Sequence, residues 1–179
     1  MNMYRILLAG FGGQGILFAG KQIAKTAMHA DKFVTWLPSY GPEMRGGTCN
    51  CSVIISDDQI GSPLVTEPDI LIAMNLPSLD KFESSVVSGG SVFIDSSLIS
   101  RKCVRSDIKA FYIPASELAE KNNLSGMANV IFLGAIIAKT QMFEYDYFLK
   151  LLTESIPASK AHLIEINKKA LDLGYNYTI

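Results

Sequence analysis

The chain has 179 residues, a formal net charge of -1, 49% hydrophobic residues and only 18% charged ones. That length supports one folded domain with its own core and no disulfide or metal staples, and the thin, balanced charge excludes the electrostatic footprint of a nucleic-acid or anionic-membrane binder. So apolar and charge-poor a composition also predicts that some surface is hidden in a partner.

Short apolar runs alternate with longer segments of helical period, the pattern of strands joined by crossover helices. In chain order the strands are expected near Arg5–Ala9, Phe33–Leu37, Cys49–Ile55, Ile70–Met74, Val92–Asp95 and Phe111–Ile113. Helices fit Gly15–His29, Ser78–Val87, Ser116–Lys121, Met127–Thr140, Asp146–Ser155 and Lys160–Leu173, with Gly174 placed to cap the last. Pro63, Pro68, Pro77 and Pro157 fall between elements, where proline is tolerated. The run Asn129–Ala138, NVIFLGAIIA, is apolar nearly all round, which predicts a helix either deeply buried within the chain or used at an interface. Together these elements predict an α/β chain: a three-layer α/β/α, Rossmann-like single domain with a mostly parallel sheet. No segment reaches the roughly 18 uninterrupted apolar residues of a membrane span. Cys49, Cys51 and Cys103 form neither an even disulfide set nor a paired metal spacing, which predicts a reduced, cytoplasmic setting.

The strongest local signal is LLAGFGGQGILFAGK, where Gly10, Gly12 and Gly15 stand at G-x-G-x-x-G spacing between the first strand and the first helix. Glycine suits a tight turn, close backbone approach to a ligand and close packing of helix on sheet. The freed N–H groups, including those around Gly13 and Gln14, and the positive end of the helix dipole favour a phosphate or carboxylate. A nicotinamide dinucleotide site also needs an acidic residue at the end of the second strand to hold the ribose hydroxyls. Here that strand ends in Trp36, Leu37, Pro38 and Ser39, and Asp31 precedes it, so a different phosphate-bearing ligand is preferred.

The segment TWLPSYGPEMRGGTCNCSVIIS, residues 35–56, leaves the second strand and enters the third. Pro38 and Pro42 stiffen it, Gly41, Gly46 and Gly47 let it fold sharply, and Tyr40, Glu43, Met44 and Arg45 offer stacking, charge and apolar contact. Loops at the carboxyl ends of parallel strands are where ligands bind in such sheets.

FGGQGILFAGK at Phe11–Lys21, PSYGPEMRGG at Pro38–Gly47 and PDILIAMN at Pro68–Asn75 together resemble the gamma subunit of the ferredoxin- or flavodoxin-dependent 2-oxoacid oxidoreductases, and the similarity continues through GGSVFIDSSLI and INKKALDLGY. The resemblance implies a subunit of a complex that decarboxylates a 2-oxoacid on thiamine diphosphate, passes electrons through iron-sulfur clusters to ferredoxin or flavodoxin, and hands the acyl group to coenzyme A. Thiamine diphosphate and the clusters would belong to partners, the alpha, beta and ferredoxin-like delta subunits. Among substrates it points first to 2-oxoglutarate, then to branched-chain oxoacids or pyruvate. For this chain it implies that Gly10, Gly12, Gly13, Gln14 and Gly15, with Arg45, meet the coenzyme A phosphates. Ser39, Tyr40, Gly41, Pro42, Glu43, Arg45 and Asn75 are the expected interface residues.

The chain's own residues fit a supporting role. Iron-sulfur ligation takes sets of about four cysteines, whereas strand alternation puts Cys49, Cys51 and Val53 on one face, with the two cysteines read as buried structural thiols. His29 and His162 lack ligand-spaced neighbours for zinc. Ser39, Ser96 and Ser97 lack the surroundings of a nucleophile, and no catalytic residue or metal is expected here. Two other readings stay open, a free-standing dinucleotide-binding oxidoreductase using the same turn and an interface module whose turn binds nothing.

Overall fold

The structure is a computed structural model that describes residues 3–40 and 48–178. Backbone contacts divide the chain into two compact units, Met1–Tyr112 and Ile113–Ile179.

The first unit is built on a sheet of six strands: β1 (Met3–Phe11), β2 (Phe33–Tyr40), β3 (Thr48–Ser56), β4 (Ile70–Ala73), β5 (Ser91–Asp95) and β6 (Lys109–Ile113), in the order β2-β3-β1-β4-β5-β6. Parallel registers join β1 to β4 and β4 to β5, while β3 runs antiparallel to both β1 and β2. The α/β architecture is as expected, in a mixed sheet where β1, β2, β4 and β5 run one way and β3 runs against them. The reason is local. Between Tyr40 and Thr48 the chain is too short for a parallel crossover, which takes about a dozen residues, so β2 and β3 pair as neighbours. Pro38, read from sequence as a loop stiffener, lies inside β2, an edge strand of the sheet, where a missing N–H is tolerated.

Alternation along β1 assigns its two faces. Leu8 pairs with Cys51 on the face covered by α1 (Ile16–His29). A Cβ on Gly20 of that helix would stand 2.4 Å from Cys51 Sγ and 3.4 Å from Leu8 Cδ1, so glycine is what lets the helix lie this close. Leu7, on the other face, joins Ile54, Leu71, Ala73, Val92 and Ile94 in a core closed by Leu79 of α2 (Leu76–Phe82) and by Val86, Ile99 and Ile108. Helices therefore cover both faces within this unit. Every residue of β4, ILIA, is buried, the continuous apolar run of a central parallel strand. Ile70, Leu71 and Ile72 each contribute about 1.5–3 kcal/mol on full burial. Arg5 and Asp69 fasten the start of the β1–β4 pair, with Nε and Nη2 of Arg5 donating to the carboxylate at 3.0 and 2.8 Å.

The second unit holds α3 (Ala115–Lys121), α4 (Ala128–Thr140), α5 (Tyr145–Glu154) and α6 (His162–Tyr175). Asn129 to Ile137 of α4 are all buried, as its apolar circumference predicts. Where α4 crosses α6, a Cβ on Gly134 would lie 2.2 Å from the Leu171 carbonyl and one on Gly174 would lie 1.8 Å from the Ile131 carbonyl. Gly174 is thus a helix-interior residue set for close backbone approach, not the left-handed cap that the sequence reading makes it. The Tyr145 hydroxyl donates to Asp172, tying the start of α5 to the end of α6. No helix among the described residues is long and apolar enough to cross a membrane.

Candidate functional site

The glycine turn lies where β1 gives way to α1, at the carboxyl end of a strand that runs parallel to β4. Gly13 and Gly15 take φ of +97° and +76°, conformations that would strain any side-chain-bearing residue. Gly15 caps α1 with no side-chain hydrogen bond, which leaves the positive end of a 14-residue helix at the turn. Gly12 and Gly13 are exposed, and a Cβ on Gly13 would meet no neighbour within 4 Å among the described residues. Gly10 is different. A Cβ there would stand 2.7 Å from Gln14 Oε1 and 2.9 Å from Ile16 Cδ1, so this glycine makes room for neighbours behind the turn rather than for a ligand in front of it.

Asn75 stands at the same edge, directly after Met74, whose N–H donates to the Ala9 carbonyl. It is 3% exposed and caps α2, its Oδ1 accepting from Ser78 N–H at 2.8 Å. Its Nδ2 has no partner among the described residues. At the end of β5, Asp95 is fully buried and accepts from Ser97 N–H at 3.1 Å. Sequence reading gave Asp95 no role beyond ending a strand.

Gly41, Pro42, Glu43 and Arg45, with Met44, Gly46 and Gly47, lie outside the described residues. The backbone on either side of them is placed. Tyr40 pairs with Cys49 across the hairpin, and Thr48 pairs with Phe11, so the chain enters β3 alongside the glycine turn. Ser39 is exposed on β2 opposite Asn50.

Among the cysteines, Cys51 is buried and Cys49 half-buried on the same sheet face. Burial first, then the neighbouring Cys49, pushes the Cys51 thiol up to about 12 against the opposing hydrogen bond from Trp36. Cys103 belongs to a cluster that sequence gave no sign of, built around Glu83. The Glu83 carboxylate accepts from Cys103 Sγ at 2.9 Å, Val104 N–H at 2.6 Å and Arg101 Nη2 at 2.7 Å. No group of His, Cys, Asp and Glu suited to hold a metal ion occurs among the described residues.

A family model described as pyruvate ferredoxin/flavodoxin oxidoreductase matches residues 5–177. The chain belongs to that family. It is 35% identical over 173 residues to the 2-oxoglutarate synthase subunit KorC of Methanocaldococcus jannaschii, covering 95% of this chain and 91% of that one. It is 37% identical over 170 residues to the ketoisovalerate oxidoreductase subunit VorA of Methanothermobacter thermautotrophicus. There it covers 95% of this chain but 35% of the relative, so the chain spans about a third of the VorA proteins it matches. Among solved structures, the gamma subunit of a keto/oxoacid ferredoxin oxidoreductase from Geobacter sulfurreducens superposes with a TM-score of 0.81 at 30% identity, covering 98% and 95% of the two chains. The 2-oxoglutarate:ferredoxin oxidoreductase of Magnetococcus marinus, a structure with 2-oxoglutarate, coenzyme A and succinyl-CoA bound, shares the fold at a TM-score of 0.88 and 21% identity, over 99% of this chain and 32% of that one.

Proposed function

We propose that this member of the pyruvate ferredoxin/flavodoxin oxidoreductase family acts as the gamma-type subunit of a 2-oxoacid:ferredoxin oxidoreductase, and that its glycine turn receives phosphates of coenzyme A. The observation that carries the second half is the turn itself: exposed Gly12 and Gly13, no neighbour before Gly13 among the described residues, and a 14-residue helix behind them whose N-cap is Gly15. Such a turn holds a diphosphate through backbone N–H groups with no charged side chain. Asn75, buried with a spare donor at the same edge, fits a polar guest there. Arg45 adds a charge-assisted phosphate contact or an interface ion pair in this proposal, and Ser39, Tyr40, Gly41, Pro42 and Glu43 meet the large subunits.

Thiamine diphosphate and iron-sulfur clusters reside in the alpha, beta and delta partners, and the complex passes electrons to ferredoxin or flavodoxin. Substrate choice belongs to those partners as well. The relatives carry 2-oxoglutarate, ketoisovalerate, indolepyruvate and pyruvate names, and 2-oxoglutarate is the first oxoacid to try. The free-standing dinucleotide reading has no support at the end of β2, where Leu37, Pro38 and Ser39 offer no carboxylate.

The test is reconstitution. The assembled complex should reduce ferredoxin with a 2-oxoacid and coenzyme A, while the chain alone is colourless and inactive. Gly13→Val, which imposes roughly 1–3 kcal/mol of backbone strain on the turn, should raise the coenzyme A KM in the complex and leave thiamine-dependent decarboxylation unchanged. Oxoacid oxidation by the isolated chain would sink the subunit reading. An unchanged coenzyme A KM in Gly13→Val would sink the phosphate reading.

A further inference from the structure

Gln14 sits inside the glycine turn, and backbone groups hold its amide at both ends. Its Oε1 accepts from Phe11 N–H at 2.6 Å, and its Nε2 donates to the Met74 carbonyl at 2.8 Å. Phe11 closes β1 and Met74 follows β4, so one side chain ties the ends of two parallel neighbours that the sheet joins only as far as Ala9 and Ala73. The Gln14 N–H also donates to the Phe11 carbonyl at 3.2 Å, closing the turn from its own backbone. Gly10 leaves the space this amide fills, since a Cβ there would lie 2.7 Å from Gln14 Oε1.

A turn with glycine at positions 12, 13 and 15 has more backbone freedom than one built of residues with side chains. Left alone it would lose that freedom on binding a guest, at a cost to affinity. We propose that Gln14 is a positioning residue, a brace that sets the turn backbone in its phosphate-receiving shape by gripping Phe11 and Met74, and that Gly10 is retained to seat it. The proposal rests on the reading of the turn as a coenzyme A phosphate site. Asn75 supports a guest at this edge independently, because its Nδ2 is buried and unpartnered among the described residues immediately beyond Met74. The brace changes what the motif means: its first glycine serves a side chain, and its glutamine serves a backbone.

The experiment compares the 179-residue parent with Gln14→Met, which keeps length and neutrality but loses both hydrogen bonds, and Gly10→Ala, which crowds the amide and the Ile16 side chain while leaving residue 14 a glutamine. Coenzyme A and inorganic pyrophosphate are titrated calorimetrically, and amide exchange of Phe11 and Gly15 is followed without ligand. The brace predicts that both variants speed Phe11 exchange and weaken both probes about tenfold, the effect of one net hydrogen bond, with little change in exchange at the β4 core. If Gln14→Met fails to fold, Gly10→Ala carries the comparison. Weaker binding with unchanged Phe11 and Gly15 exchange means that Gln14 touches the ligand directly, and overturns the brace. Parent-like binding in both variants overturns it too. A parent that binds neither probe removes the phosphate reading itself, and the brace with it, an outcome distinct from the other two because the variants then play no part.

Discussion

Glu83 shows how much one buried carboxylate can organise. Its side chain is 5% exposed, and it receives Arg101, Cys103 and the Val104 and Arg105 backbones from the long connection between β5 and β6. Burial alone would push its carboxyl up. The donors from Cys103 and Arg101, then from the two backbone N–H groups, outweigh burial and hold it below its ordinary value of 4.5. A group depressed in this way contributes stability above the unfolded value, and that contribution is lost as pH falls through the folded one. Glu83→Gln should therefore cost about 1–3 kcal/mol at neutral pH and flatten the acid limb of stability against pH, both read by urea melts between pH 7 and 3. A parent-like acid limb in the variant would show that Glu83 is not the group that titrates. Sequence reading could not find this cluster, because Glu83 meets Val104 from 21 residues away and no local spacing announces it. Gln14 was legible as a member of the glycine motif but not as a brace, for the same reason: its second partner, Met74, is 60 residues distant.

At the scale of elements, the misread glycine is the instructive one. Gly174 ends a periodic run, and a glycine there fits a left-handed cap as well as it fits a helix crossing. Only the crossing partner separates the two, and that partner, Ile131, is on another helix. Gly174→Ala should force α4 and α6 apart, costing about 1–3 kcal/mol and occasionally more, whereas a cap glycine so changed would be strained at its own φ alone. Thermal melts should therefore show Gly134→Ala, at the facing position, destabilising in the same way, and the double variant costing less than the sum of the two. Additive losses would argue against a shared contact. The start of α2 teaches the reverse lesson. Asn75 and Pro77, a capping residue and a first-turn proline, already marked a helix beginning at Leu76, ahead of the Ser78 start that apolar period alone predicts.

For the whole chain, the α/β class was legible because strand-length and helix-length periods alternate, and the glycine turn was legible because its motif falls between a strand and a helix. Strand direction was legible only in part, since the short gap between β2 and β3 excludes a crossover but does not say that β3 goes on to pair with β1. The thiol beneath Gly20 has a practical consequence. Cys51 is 0% exposed and nearly all protonated at neutral pH, with α1 lying over it. A thiol reagent can reach it only after that helix lifts from the sheet, whereas Cys49 and Cys103 are each half-buried. The three cysteines thus form a native stopwatch: two should label early, and the third should label at the rate at which the fold opens. Mass spectrometry after timed alkylation would read that rate, with the third adduct accelerating in urea while the first two barely respond. A Cys51 that labels as fast as Cys49 would mean that α1 lifts far more often than its packing implies. Such a clock lets the opening of this chain be timed alone and again in the proposed complex, with no dye or tag added.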